Sequence, residues 1–119
     1  MTSDNSSRFP SRGEVWQVAL GPVKGREQGG ERPAMVISVD AFNRGPADLV
    51  IVIPVTSRKK GIVTHVPVPK GESGLDSDSY IKVEDIRSVS KSRLVRYRGE
   101  LAPLRVEAVE QILRMLTGL

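Results

Sequence analysis

Apolar residues recur along this chain in short runs of two kinds. From Glu14 to Leu20 they alternate, with Trp16, Val18 and Leu20 on one side and Val15, Gln17 and Ala19 on the other, the two-residue period of a strand with one buried face. Ala34–Val39 and Leu49–Val55 are continuous runs rich in β-branched residues, as in central strands. Ile62–Val68 returns to alternation, and Pro67 and Pro69 remove ladder donors there, which predicts an edge strand or a strand end. Tyr80–Ile86 and Leu94–Tyr97 are weaker strand segments. A helical period occurs once: Val109, Ile112, Leu113 and Leu116 fall at i, i+3, i+4 and i+7, Pro103 suits a first turn, and Gly118 follows the last. Five or six short strands and one terminal helix predict a mainly β domain, α+β by some schemes. A strongly curved sheet or small SH3-like barrel fits, its open side covered by the helix.

Composition narrows the chemistry. The 119 residues suffice for one core. Thr2–Ser7 is polar and without period, so residues 1–11 read as a disordered lead-in to a domain spanning 12–119. The absence of cysteine excludes disulfides, thiolate catalysis and Cys-ligated zinc. With one histidine, His65, and no clustered acids, neither a metal nor another cofactor is expected. His65 in a strand pattern reads as a packed residue, and Trp16 as core. No apolar run approaches the roughly 18 residues of a membrane span, and no signal-peptide core is present, so a cytoplasmic protein without membrane contact is expected. The net charge of +4 favours an anionic partner or serves solubility alone.

The loops carry the candidate chemistry. Gly21 to Arg32 is long for a hairpin connection, and its segment Gly25-Arg26-Glu27-Gln28-Gly29-Gly30 puts a carboxylate, an amide and a guanidinium on permissive backbone just ahead of Arg32-Pro33. Two readings stand: an anion site, or a hairpin with solvated charges. Thr56 closes the Leu49–Val55 strand, and the turn Ser57-Arg58-Lys59-Lys60 follows it, suited either to phosphates or to solubility. Lys82 and Glu84 are two apart in a predicted strand and should share a face, as an ion pair or a second polar cluster. Arg87 to Arg98 holds five cations and no acid, a surface for nucleic acid or for an acidic protein segment.

Taken in order, Arg12-Gly13-Glu14-Val15-Trp16, Leu20-Gly21-Pro22, Gly25 to Gly30, Arg32-Pro33, Asp40-Ala41-Phe42-Asn43-Arg44, Ile53-Pro54-Val55-Thr56-Ser57 and Ile86-Arg87-Ser88-Val89 resemble the MazF/PemK/Kid family of toxin endoribonucleases. The resemblance implies an SH3-like, CcdB-like barrel that forms a homodimer, cuts single-stranded RNA at short sequences without metal, and is silenced by a cognate antitoxin. It assigns the catalytic arginine to Arg32, the strand-end threonine to Thr56 and the loop glutamate to Glu27. Where the Kid-like branch has an arginine and an aspartate, this chain has Lys82 and Glu84. Lysine lacks arginine's two-pronged contact with phosphate. Arg26 stands where serine or histidine is common.

Metal-free RNA cleavage uses the neighbouring 2′-hydroxyl as nucleophile, so a protein must take its proton, hold a pentacoordinate phosphorane and protonate the leaving 5′ oxygen. A two-histidine mechanism is impossible here. Arg32 would hold the phosphorane, Thr56 would donate a hydroxyl to a nonbridging oxygen, and Glu27 is the expected base. Aromatics are few, so Arg26, Gln28, Arg58 and Lys59, beside Gly29 and Ser57, are the expected RNA contacts, together with Lys82 and Glu84. Two alternatives remain on the same barrel: a non-catalytic CcdB-like toxin that poisons a protein such as DNA gyrase, and an RNA-binding module without chemistry.

Overall fold

The computed structural model describes residues 8–22, 25 and 28–119. Along the chain these form β1 (Glu14–Ala19), β2 (Glu31–Val36), α1 (Asp40–Asn43), β3 (Leu49–Thr56), β4 (His65–Val68), β5 (Ser79–Lys82), β6 (Arg87–Ser90), β7 (Leu94–Glu100) and α2 (Pro103–Thr117). Every strand pair is antiparallel, in the order β4-β5-β3-β2-β1-β7, with β6 also on β3. β3 is the organiser. One of its edges takes β2 through Val52–Pro54, and the other takes β6 through Leu49–Val52 and β5 through Val55–Thr56. No ladder joins β4 to β7, so the sheet is curved but not closed. β4 ends the order, the edge position that Pro67 predicts.

The alternating β1 is buried on both faces rather than one. Val15, Met35, Ile53, Val55 and Ile81 pack under Val109 of α2, with Ile112 and Leu113 against them. Trp16, Val18, Ala34, Val36, Val50 and Val52 form a second cluster on the opposite face, covered by Val89 of β6 and by Leu94 and Tyr97 of β7. The sheet curls far enough for its own outer strands to cover what a flat sheet would expose. Full burial of each such side chain contributes about 1.5–3 kcal/mol. α2 begins at Pro103 and ends on Gly118 in the left-handed region (φ 74°), whose N–H donates to the Arg114 carbonyl.

Where β4 and β7 fail to pair, the 3₁₀ turn Glu72–Gly74 fills the gap. Ser73 Oγ donates to the Glu100 carbonyl (2.6 Å), and Arg98 donates to Gly74 O (2.6 Å), Gln17 Oε1 (2.8 Å) and Asp76 Oδ2 (3.1 Å). The backbones approach so closely that a Cβ on Gly99 would lie 2.8 Å from the Ser73 carbonyl carbon. At the other end Asn43, fully buried on α1, donates to the carbonyls of Pro10 and Ser38 (3.0 Å each) and accepts from Ser38 Oγ. Of the expected lead-in, residues 1–7 lie outside the described residues, and Pro10 packs here.

The predicted strand Tyr80–Ile86 is interrupted. β5 stops at Lys82, Val83–Asp85 form a 3₁₀ turn, and β6 restarts at Arg87. Lys82 and Glu84 therefore do not form a strand pair. Lys82 Nζ lies 3.8 Å from Asp85 Oδ2, whereas Glu84 accepts from Thr64 Oγ1 (2.8 Å) and bonds His65 Nε2 (3.0 Å). His65 is packed, with its side chain 3% exposed. Burial acts to raise the Glu84 pKa, but the Thr64 hydroxyl, the local backbone and the His65 ring together outweigh it and hold it below 4.5.

Two outcomes follow from these contacts. A carboxyl with a depressed pKa adds stability that is complete above its unfolded value and is lost as pH falls through the lower folded value. The stability gap between the wild type and Glu84→Gln should therefore be constant above about pH 4.5 and shrink below it, as urea titrations across that range would read. Gly99→Ala should cost about 1–3 kcal/mol by thermal or urea unfolding, because its methyl meets backbone rather than a movable side chain.

Candidate functional site

The β1–β2 connection is tied at its neck. Leu20 N donates to Gly30 O (2.8 Å) and Gly30 N to Gly21 O (2.6 Å), with both glycines at positive φ. A side chain with a Cβ is strained at those angles, so glycine at both positions lets the neck close. Arg26 and Glu27 lie outside the described residues. Past the neck, Arg32 is an exposed residue near the start of β2, opposite Val18 of β1, and its Nε donates to the Gly29 carbonyl (2.9 Å). Among the described residues the terminal Nη atoms have no partner, and the bond through Nε leaves their two-pronged edge turned away from Gly29.

Thr56 reaches the same level from the other side. The β2–β3 register pairs Ala34 with Pro54 and Val36 with Val52. Continued by two residues, it puts Arg32 across from Thr56, and residues paired in this way share a face. Pro33 and Pro54 bring no N–H here, and a hollow of about 180 Å³ lies between Arg32, Pro33, Val55 and Ser57 on one side and Asp76, Ser79 and Arg98 on the other, without Thr56 in its lining. Thr56 is buried, and its Oγ1 accepts from Arg58 N (3.1 Å), which leaves the hydroxyl proton to donate. Tyr80 stands opposite Thr56 in β5.

Ser57, Arg58 and Lys59 follow on an exposed turn, so the structure brings Arg32, Thr56, Ser57, Arg58 and Lys59 to one end of the sheet. Gln28 and Gly29 join them from the loop. Lys82, two residues after Tyr80 and on the same face of β5, is buried, while Glu84 turns away to Thr64 and His65.

Asp85 is the residue that the sequence pattern hides. Its Oδ2 accepts from Gln28 N (2.8 Å), and its Oδ1 accepts from Arg87 Nη2 (2.7 Å). The available signal is an acid bracketed by Lys82 and Arg87, masked by reading 80–86 as one strand. The cationic segment Arg87–Arg98 is likewise less free than its sequence suggests. Arg87 is held by Asp85, Lys91 by Asn43 O (2.7 Å), Arg93 by Ala19 O (3.1 Å), and Arg98 by the Gly74 turn. Among the described residues no group of three His, Cys, Asp or Glu side chains is placed to hold a metal ion.

A family model described as PemK-like, MazF-like toxin of type II toxin-antitoxin system matches residues 11–117. Among solved structures, the chain is similar to MazF from Deinococcus radiodurans, at 32% identity and a TM-score of 0.84 over 95% of this chain and 100% of that one. A MazE-MazF structure from the same organism matches at 32% identity and a TM-score of 0.78, over 95% and 99%. An endoribonuclease in complex with its cognate antitoxin, from a Mycobacterial species, shares the fold at 24% identity and a TM-score of 0.73, over 93% and 95%. On a family match spanning nearly its whole length, and a solved MazF to which it aligns end to end, this chain belongs to the PemK-like, MazF-like toxins of type II toxin–antitoxin systems.

Proposed function

We propose that the protein is a metal-independent, sequence-selective endoribonuclease toxin acting on single-stranded RNA in the cytoplasm, working as a homodimer and silenced by a cognate antitoxin. The observation that carries this reading is the β2–β3 register, which continued by two residues sets Arg32 across from Thr56 on one face, with Arg32 held through Nε and its Nη atoms bonded to no described residue. Similar proteins support it by name: the Mycobacterial structure is an endoribonuclease with its antitoxin, and the Deinococcus toxin is seen with MazE.

The chemistry follows from what each group can do. The RNA 2′ oxygen forms a bond to the adjacent phosphorus, and its proton passes to a base, assigned by resemblance to Glu27. Charge accumulates on the nonbridging oxygens, where the guanidinium presents two parallel donors and Thr56 a third. The P–O5′ bond then breaks, the 5′ oxygen is protonated, and the ends are a 2′,3′-cyclic phosphate and a 5′-hydroxyl. Arg32 stays cationic throughout, so it serves as a stabiliser and not as the base. Arg58 and Lys59, exposed just past Thr56, meet flanking phosphates.

Incubating the purified protein with a long transcript in EDTA tests the reading. Defined fragments with cyclic-phosphate ends are expected, and intact RNA would overturn it in favour of a binding module or a toxin against a protein target. Arg32→Ala should lower kcat about 10²- to 10³-fold, the loss typical of one removed oxyanion donor, and Thr56→Ala about 10²-fold. In an Arg32→Ala background that still binds, replacing Arg58 or Lys59 by alanine should reduce the slope of log Kd against log salt by about 0.7 for each charge removed. An unchanged slope would take these two residues off the RNA.

A further inference from the structure

We infer that Asp85 is a positioning residue for Arg32, setting the guanidinium through the glycine-rich loop without touching substrate. The inference rests on the endoribonuclease reading for its effect on rate, but its geometry stands independently. Arg87 fixes the Asp85 carboxylate through Oδ1 (2.7 Å), and Oδ2 accepts the backbone N–H of Gln28 (2.8 Å). The next residue, Gly29, turns its carbonyl to Arg32 Nε (2.9 Å). Three bonds thus run from β6 through the 3₁₀ turn and the loop to the reacting guanidinium.

The contact spans 57 residues of sequence, and the Asp85 side chain is only 9% exposed, so it is a built contact and not a solvated charge resting on a loop. A carboxylate accepting a backbone N–H in a shielded place forms one of the stronger hydrogen bonds available to a loop. The Gly29 carbonyl has no side chain to fix it. Its peptide plane is held on the far side by Gly30 N–H, which donates to Gly21 O (2.6 Å), while Asp85, through the Gln28 N–H, holds the peptide two planes earlier and so fixes the direction from which the loop enters this turn. Glu84, one residue earlier, anchors the same turn to β4 through Thr64 and His65, which keeps Asp85 from swinging away.

The test uses Asp85→Asn, of nearly the same size, alongside Asp85→Ala. Asp85 meets Gln28 N and Arg87 with separate oxygens, and asparagine has an NH2 in place of one of them, so one of the two bonds fails even if packing survives. Both variants should lower kcat about 10- to 100-fold with KM nearly unchanged, the scale of a reacting group displaced by about 1 Å. In an Arg32→Ala background the same changes should cost almost nothing further, because the group they position is gone. A full loss repeated in that background would show that Asp85 acts independently of Arg32 and would overturn the inference, as would full activity in Asp85→Ala.

A readout independent of cleavage accompanies these assays. In the wild type, hydrogen exchange at the Gln28 amide and at Arg32 Nε–H should be slowed. In Asp85→Ala both should speed up at least about tenfold, the change expected on losing about 1.4 kcal/mol of protection, while Met35 and Ile53 amides stay protected. A wild-type Gln28 amide that exchanges as in a free loop overturns the inference without any variant, including in the event that neither variant folds. Absence of cleavage by the wild type would overturn the endoribonuclease reading alone, since the exchange result still decides whether Asp85 sets Arg32.

Discussion

The antiparallel register of β2 on β3 is the constraint on which the rest of the molecule depends. A slip of one residue would send Met35 and Ile53 to the face now filled by Ala34 and Val52, and would also part Arg32 from Thr56. Most two-layer proteins fix register from one buried face. Here both faces of the central strands are buried, so the register is specified twice. The site inherits that rigidity from the core, and the backbone positions of Arg32 and Thr56 depend little on their own polar contacts.

Rigidity of backbone does not fix a guanidinium. Arg32 is exposed, and its long side chain has several free torsions, each costly in entropy to hold. The loop supplies what the strand cannot, by turning one carbonyl to Nε. This arrangement explains why glycines crowd the stretch. Gly21 and Gly30 close the neck in left-handed backbone, and Gly29, buried, turns its carbonyl to Arg32 Nε.

Much of this was legible in the residues. The long apolar runs located β2 and β3 because central strands need no alternation, and Pro103 and Gly118 bounded α2 because each suits one helix end. Arg32 and Thr56 were visible as polar residues at the ends of apolar runs. Other parts were hidden for definite reasons. Val83 continues the apolar alternation of β5 straight through a 3₁₀ turn that contains neither glycine nor proline, so the break at Lys82 leaves no local mark. The second buried face of β1 depends on how far the sheet curls, which is a property of all seven strands together. Lys91, Arg93 and Arg98 read as a free cationic surface because their partners are mostly carbonyls, and no sequence pattern shows where a carbonyl points.

A carboxylate near a surface meant for phosphate raises an electrostatic objection, since its charge repels the substrate that the arginine attracts. The distances answer it. Arg87 at 2.7 Å and Lys82 at 3.8 Å flank Asp85, so this trio carries a net positive charge, and the acid is neutralised locally before its field reaches the open end of the sheet. Arg32, Arg58 and Lys59, by contrast, form no ion pair with a described residue and keep their charge for solvent. The cations of this chain thus divide by partner. Those bonded to carbonyls and carboxylates through their charged ends hold the fold, while Arg32, bonded through Nε to Gly29 O, and the exposed Arg58 and Lys59 set the potential that an anionic chain would meet.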